Sequence, residues 1–199
     1  HWYWVLIHWL AAVACYALCR DLEAGHVASL AGAVVFALTG FVGHTDWPQI
    51  LMTSIWVPVV FLFFARVVRG YRPRSSAALC GAALGMAFLS GHHVVPTFTA
   101  VLVGALWLAY VAQGWWGAVP RAAAQGLPRP TAQGLPRVTH AAIFFAVWLL
   151  VSAVQVLPAI EYAKQSLRWA DAPEPLRWGQ RVPFDVHARY SLQWQTVPG

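Results

Sequence analysis

From Ser75 to Pro120 the chain carries no Asp, Glu, Lys or Arg. A run that long and apolar restricts the backbone more than any other feature of the sequence. Where no water satisfies N–H and C=O groups, only a helix or a closed barrel can cross hydrocarbon. The apolar runs here are continuous and lack the inside-outside alternation of a lipid-facing strand, so they read as helices. Composition agrees, with 59% hydrophobic and 10% charged residues, where a soluble domain has roughly 25% charged residues. Nothing in the sequence looks like one secretory signal ahead of a soluble domain.

A bilayer-spanning helix takes about 20 mostly apolar residues. The charge-free intervals predict six of them, near residues 2–19, 27–43, 49–68, 76–90, 94–112 and 139–157. The expected fold class is therefore all-α: a polytopic membrane protein whose transmembrane bundle covers residues 1–157. Residues 113–138 form a Gly- and Pro-rich loop containing AQGLPR twice, at 124–129 and 132–137, a duplication too short for a solenoid unit and expected to be a flexible linker. From residue 158 the composition turns mixed in charge and proline-bearing. Residues 158–199 are expected to be an outer juxtamembrane segment, helical at first and irregular afterwards.

Arginine sets the orientation. The loops after the first, third and fifth spans carry Arg20, then Arg66, Arg69, Arg72 and Arg74, then Arg121, Arg129 and Arg137, whereas the turns at 44–48 and 91–93 carry no Lys or Arg. By the positive-inside rule the arginine loops are cytoplasmic. The two short turns and the C-terminal segment then face outward. Most of the net charge of +6 is accounted for by these loops, so nucleic acid is not an expected partner. The Trp-rich start, with Trp2, Tyr3 and Trp4, suits an outer interfacial belt, and Trp115 and Trp116 suit the inner one. Cys15, Cys19 and Cys80 fall inside spans without zinc-type spacing and read as small buried hydrophobes. Gly81 and Gly85 make a small-xxx-small pair suited to close helix packing.

Polar chemistry gathers at the outer turns. GHTDWPQ presents His44 and Asp46, and LSGHHVVP presents His92 and His93, with Gly91 before them and Pro96 restarting a helix. Ionisable groups near membrane depth tend to mark sites. Asp46 serves equally well as a cap for the helix that starts near Pro48. Glu161 and Arg168, seven residues apart, lie on one helical face and read either as site residues or as a solvated stripe; Lys164 between them reads as solvated. His8 reads as a satisfied histidine in the packed interior. Imidazole and carboxylate suit zinc, but no local spacing supports a metal site. No cofactor is expected.

Two stretches resemble the YfhO-like family of bacterial multi-pass membrane proteins. GHTDWPQILMTSIWVPVVFL is similar to its outer turn and following helix with a Trp-x-Pro step, here Trp56-Val57-Pro58. LLVSAVQVLPAIEYAKQSLR is similar to its helix ending in Gln-x-Leu-Pro, followed by an acid and Ser-x-Arg, here Gln155, Leu157, Pro158, Glu161, Ser166 and Arg168. Where the family commonly has a Gly-His-Pro-Gln-like turn, this chain reads Gly-His-His-Val. The resemblance implies a glycosyltransferase-C-like enzyme of the bacterial cytoplasmic membrane. Such an enzyme takes a sugar from a polyprenyl-phosphate carrier and passes it to an envelope polymer or glycolipid on the outer face.

That chemistry needs a carboxylate for the acceptor's proton and donors or cations for the phosphate leaving group. His44, His92, His93 and Arg168 are the expected phosphate-side residues, with Asp46 or Glu161 orienting the acceptor or a histidine. The resemblance implies a catalytic acid in a loop upstream of His1, with Asp46 a weaker candidate, and a chain that is a fragment of a longer protein. The rival classes are a membrane transporter, for which Pro58 inside the third span speaks, and a noncatalytic envelope assembly protein, whose outer polar residues would tolerate substitution. Twelve arginines to one lysine fit a GC-rich bacterial genome.

Overall fold

The structure, a computed structural model, describes residues 2–38, 40–43, 47–115, 134–168, 176–177, 179–181 and 184. Two compact units divide the chain between Val154 and Gln155. The first holds α1 (Trp2–Asp21), α2 (His26–Leu38), α3 (Gly40–Gly43), α4 (Pro48–Ser54), α5 (Trp56–Val68), α6 (Pro73–Leu89), α7 (Val94–Trp115) and the larger part of α8 (Gly134–Gln165). The architecture is all-α. Four segments are long and apolar enough to cross a membrane: Trp2–Asp21, Pro48–Val68, Val94–Gln113 and Arg137–Gln165. α2, of 13 residues, is apolar but shorter, and α6 has 17 residues.

Proline explains where several elements depart from the sequence expectation. The third span is interrupted at Ile55, between α4 and α5. Pro58 has no N–H for the Ser54 carbonyl and its ring crowds that same carbonyl, so α4 stops at Ser54. Thr53 Oγ1 instead donates to the Gln49 carbonyl at 2.8 Å and Ser54 Oγ to Ile50 at 2.8 Å, keeping both buried hydroxyls satisfied. The loop expected over 113–138 is shorter at each end, because α7 runs to Trp115 and α8 starts at Gly134. Pro136 is tolerated in the first turn of α8, where backbone N–H groups have no helical partner to lose. α8 also continues past Pro158 to Gln165. The cost is one absent bond to the Val154 carbonyl, beside which the two units divide.

Two packed clusters organise the first unit. One joins Val60, Phe64 and Val67 of α5 to Ala77, Cys80, Ala83 and Leu84 of α6, Val103 and Trp107 of α7, and Phe144 of α8. The other joins Ile7 and Ala11 of α1 to Ala37, Val42, Leu51 and Ile55. Lipid is as apolar as leucine, so these clusters are held by close packing rather than by escape from water. Outward faces stay apolar: Leu108 and Leu150 are each 74% exposed.

Glycine shapes two of the tight turns, whereas after α1 it is Glu23 that takes a positive φ, +67°. After α5, Gly70 takes φ +76°, the Tyr71 N–H reaches the Arg66 carbonyl at 2.9 Å, and the Gly70 N–H reaches Val67 at 3.0 Å. This is the paired bonding of a Schellman motif. After α6, Gly91 at φ +89° plays the same part, its N–H on the Phe88 carbonyl.

The turn after α5 also presents arginine to the end of α1. Arg66 Nε donates to Asp21 Oδ1 at 2.7 Å, and Arg69 donates to the other carboxylate oxygen and to the Asp21 carbonyl. One half-buried carboxylate thus ties α1 to α5. Asp21→Ala is expected to lower stability in detergent by about 1 kcal/mol, between an exposed pair and a buried charged hydrogen bond. The deficit should shrink as salt is raised and the wild-type contact is screened; unfolding curves at two ionic strengths check it.

The second unit, Gln155–Gly199, contains the last turns of α8 and a two-stranded antiparallel pair, β1 (Leu167–Arg168) and β2 (Leu176–Arg177), with Arg168 opposite Leu176. Composition had suggested irregular chain here; among the described residues this short pair follows α8 directly.

Candidate functional site

The helix ends of the first unit form two polar clusters. At one end, the α6–α7 turn bearing His92 and His93 packs beside the start of α4. The side-chain Cγ of Gln49 lies 3.8 Å from where a Cβ on Gly91 would sit. Thr53 Oγ1, bonded to Gln49, also lies 3.5 Å from the Ala87 and His92 carbonyls. One hydroxyl proton serves one acceptor at a time, so the 2.8 Å bond to Gln49 dominates and the longer pair are fallback acceptors. The turn thus lies against α4 by contact, its carbonyls offering only second-choice acceptors to Thr53, and the imidazoles take no part.

The two histidines differ. His92 is half-buried, and its Nδ1 is enclosed without a hydrogen-bond partner. His93 is exposed, its ring 6.2 Å from that of Phe88, while its carbonyl caps α7 by accepting from the Thr97 N–H at 3.0 Å. Phe88 in turn lies 5.7 Å from the Trp148 ring of α8, whose Nε1 is also enclosed and unpartnered. A buried polar atom without a partner is costly and uncommon. His92 Nδ1 shares this condition with Trp107 and Trp148 Nε1, His140 Nδ1 and Gln155 Oε1 among the described residues.

The other expected site residues are placed separately. His44 and Asp46 lie outside the described residues. Glu161 is exposed on α8 and Arg168 lies in β1, both in the second unit, where the Oε1 of Gln155 is enclosed without a partner. Among the described residues no three His, Cys, Asp or Glu side chains converge as metal ligands.

At the opposite end the sequence reading took Arg137 only as a topology signal. Arg137 is 7% exposed; its guanidinium donates to the Tyr110 carbonyl at 2.9 Å and lies 4.7 Å from the centre of the Tyr110 ring. His140, on the same face of α8, is equally buried, and its Nδ1 has no partner. α6 and α8 run side by side in the same direction, Gly81 against Phe144 and Gly85 against Val151, which sets Arg74 at the start of α6 level with this turn of α8. The signal for this cluster was the Arg-x-x-His spacing at 137–140, which places both groups on one helical face.

A third feature is an open, apolar groove of about 500 Å³ between α1 and α2, lined by Trp4, His8, Trp9, Ala12, Val34 and Leu38 among others. His8 Nδ1 is bonded to the Trp4 carbonyl at 2.8 Å, so the groove presents no unsatisfied imidazole nitrogen on that side. The cysteines are likewise absorbed locally: Cys15 Sγ approaches the Gly32 carbonyl at 3.6 Å and Cys80 Sγ the Val60 carbonyl at 3.4 Å. No family model, no curated protein and no solved structure matches this chain.

Proposed function

We propose that the chain is part of a glycosyltransferase-C-like membrane enzyme, related to the YfhO-like proteins. It would transfer a sugar from a polyprenyl-phosphate carrier to an envelope polymer or glycolipid on the outer face of a bacterial cytoplasmic membrane. In this reading the bundle has six spans, α2 with α3 and α6 supplying the two beyond the four long segments. The arginine-bearing end is cytoplasmic. The observation that carries the reading is the enclosed, unpartnered Nδ1 of His92 on a turn held against α4, at the end away from the arginines. An imidazole so placed donates or accepts as its tautomer dictates and suits the bridging oxygen of a departing lipid phosphate.

His93 and, outside the described residues, His44 complete the phosphate side, with Asp46 orienting the acceptor; Glu161 and Arg168 belong to the second unit and form no part of this site. A transporter reading draws on the helix break at Ile55, since broken helices build midplane sites. The hydroxyls nearest that break, Thr53 and Ser54, bond back onto α4, which favours the enzyme. In a transfer assay with the natural protein and a polyprenyl-phosphate sugar, His92→Ala is expected to lower kcat/KM roughly tenfold or more, the scale of one lost charge-assisted hydrogen bond. Normal rates in both His92→Ala and Asp46→Ala would overturn the assignment.

A further inference from the structure

The cluster of Arg74, Arg137 and His140 is the strongest unassigned feature of the molecule. Arg74 is the second residue of α6 and Arg137 lies in the first turn of α8. A helix N-terminus carries partial positive charge and favours anions, yet neither helix has an acidic residue in its first turn. Each carries an arginine there instead. Among the described residues no carboxylate pairs with Arg74 or Arg137; of the two acids in the α1–α2 turn at this end, Asp21 is taken by Arg66 and Arg69, and Glu23 is exposed and makes no ion pair.

A topology-setting arginine has no need of burial, but Arg137 is 93% buried, as is His140 with its open Nδ1 (7% exposed each). Burying a charge is costly unless it is compensated, and one carbonyl with one aromatic face is partial compensation. Because α6 and α8 run side by side, Gly81 against Phe144 and Gly85 against Val151, the Arg74 end of α6 lies level with Arg137 and with the enclosed Nδ1 of His140.

We propose that this cluster binds the phosphate of an anionic phospholipid headgroup, from the leaflet at the arginine-bearing end. Exposed Arg74 meets the phosphate first, and the groups on α8 fix it between α6, α7 and α8. Basic pockets between membrane helices hold anionic headgroups in this way. The site stands apart from the His92 turn and does not depend on sugar transfer.

The test is native mass spectrometry of the full chain in neutral detergent doped with phosphatidylglycerol or, separately, phosphatidylcholine. Retained phosphatidylglycerol is expected, with half-saturation shifted roughly tenfold by Arg74→Gln or Arg137→Gln, as for one charge-assisted hydrogen bond. Arg20→Gln, which removes one charge from the same end, should leave it unchanged, and Arg137→Lys should keep much of the binding. If Arg137→Gln fails to fold, Arg74→Gln and Arg137→Lys carry the comparison. Equal retention in all variants, equal retention of phosphatidylcholine, or displacement of the lipid by millimolar inorganic phosphate would each overturn the proposal, the last by assigning the site to a soluble phosphate.

Discussion

Trp107→Ala is expected to lower the stability of the first unit by about 3 kcal/mol, at the lower end of large aromatic truncations. Trp107 is 1% exposed and sits where three helices meet. Its ring stacks on Phe144 of α8 at 5.3 Å with a 27° interplanar angle, meets Phe64 of α5 edge-on at 5.3 Å, and meets Tyr110 edge-on at 5.7 Å. The usual transfer contribution is weak in lipid, so the loss is chiefly dispersion and the void left behind. Trp107→Phe separates the contributions. It keeps a stacking ring and removes the indole N–H, which has no partner here, so its loss should be well under half that of alanine. Unfolding in detergent, followed through the remaining tryptophans, reads both variants.

Gly81→Ala should cost about 2 kcal/mol, in the range of overpacking, although alanine is the better helix former by about 1 kcal/mol. The reason is backbone against backbone. A Cβ on Gly81 would lie 2.4 Å from the Phe144 carbonyl oxygen and 3.1 Å from the Trp148 nitrogen, and neither atom can turn aside. At Gly85 the added carbon would meet Val151 Cβ at 2.6 Å, so α6 and α8 would have to part along a full turn. Gly104→Ala on α7 is the control, because nothing lies within 4 Å of its Cβ position. It should be neutral or slightly stabilising. Equal losses at Gly81 and Gly104 would show that helix propensity, not the α6–α8 approach, governs these positions.

Much of the helix order was legible because its causes are local. Absent charge marks where hydrocarbon is tolerated, and the Gly91 and Pro96 punctuation places the turn between α6 and α7. The Gly81–Gly85 spacing anticipated close packing without naming the partner. Interruptions were harder to read: Pro58 breaks a segment expected to be continuous, while Pro136 and Pro158 leave α8 helical, and position relative to the helix start explains only Pro136. The polar sites were least legible. That His92 Nδ1 is enclosed depends on how the chain packs around the turn. That Arg74 lies level with His140 depends on α6 and α8 meeting across many intervening residues. Residue types announce chemistry, but enclosure is a tertiary property.

The glycine face of α6 also bears on how such a bundle is made. α6 buries eight of its residues, Gly81 and Gly85 included, and so shares much of its surface with neighbouring helices. During synthesis α5 is already at hand when α6 emerges, but α8 is still unmade. Until it arrives, the groove that closes on Phe144 and Trp148 is open. That interval is when an insertase or membrane chaperone has something to hold.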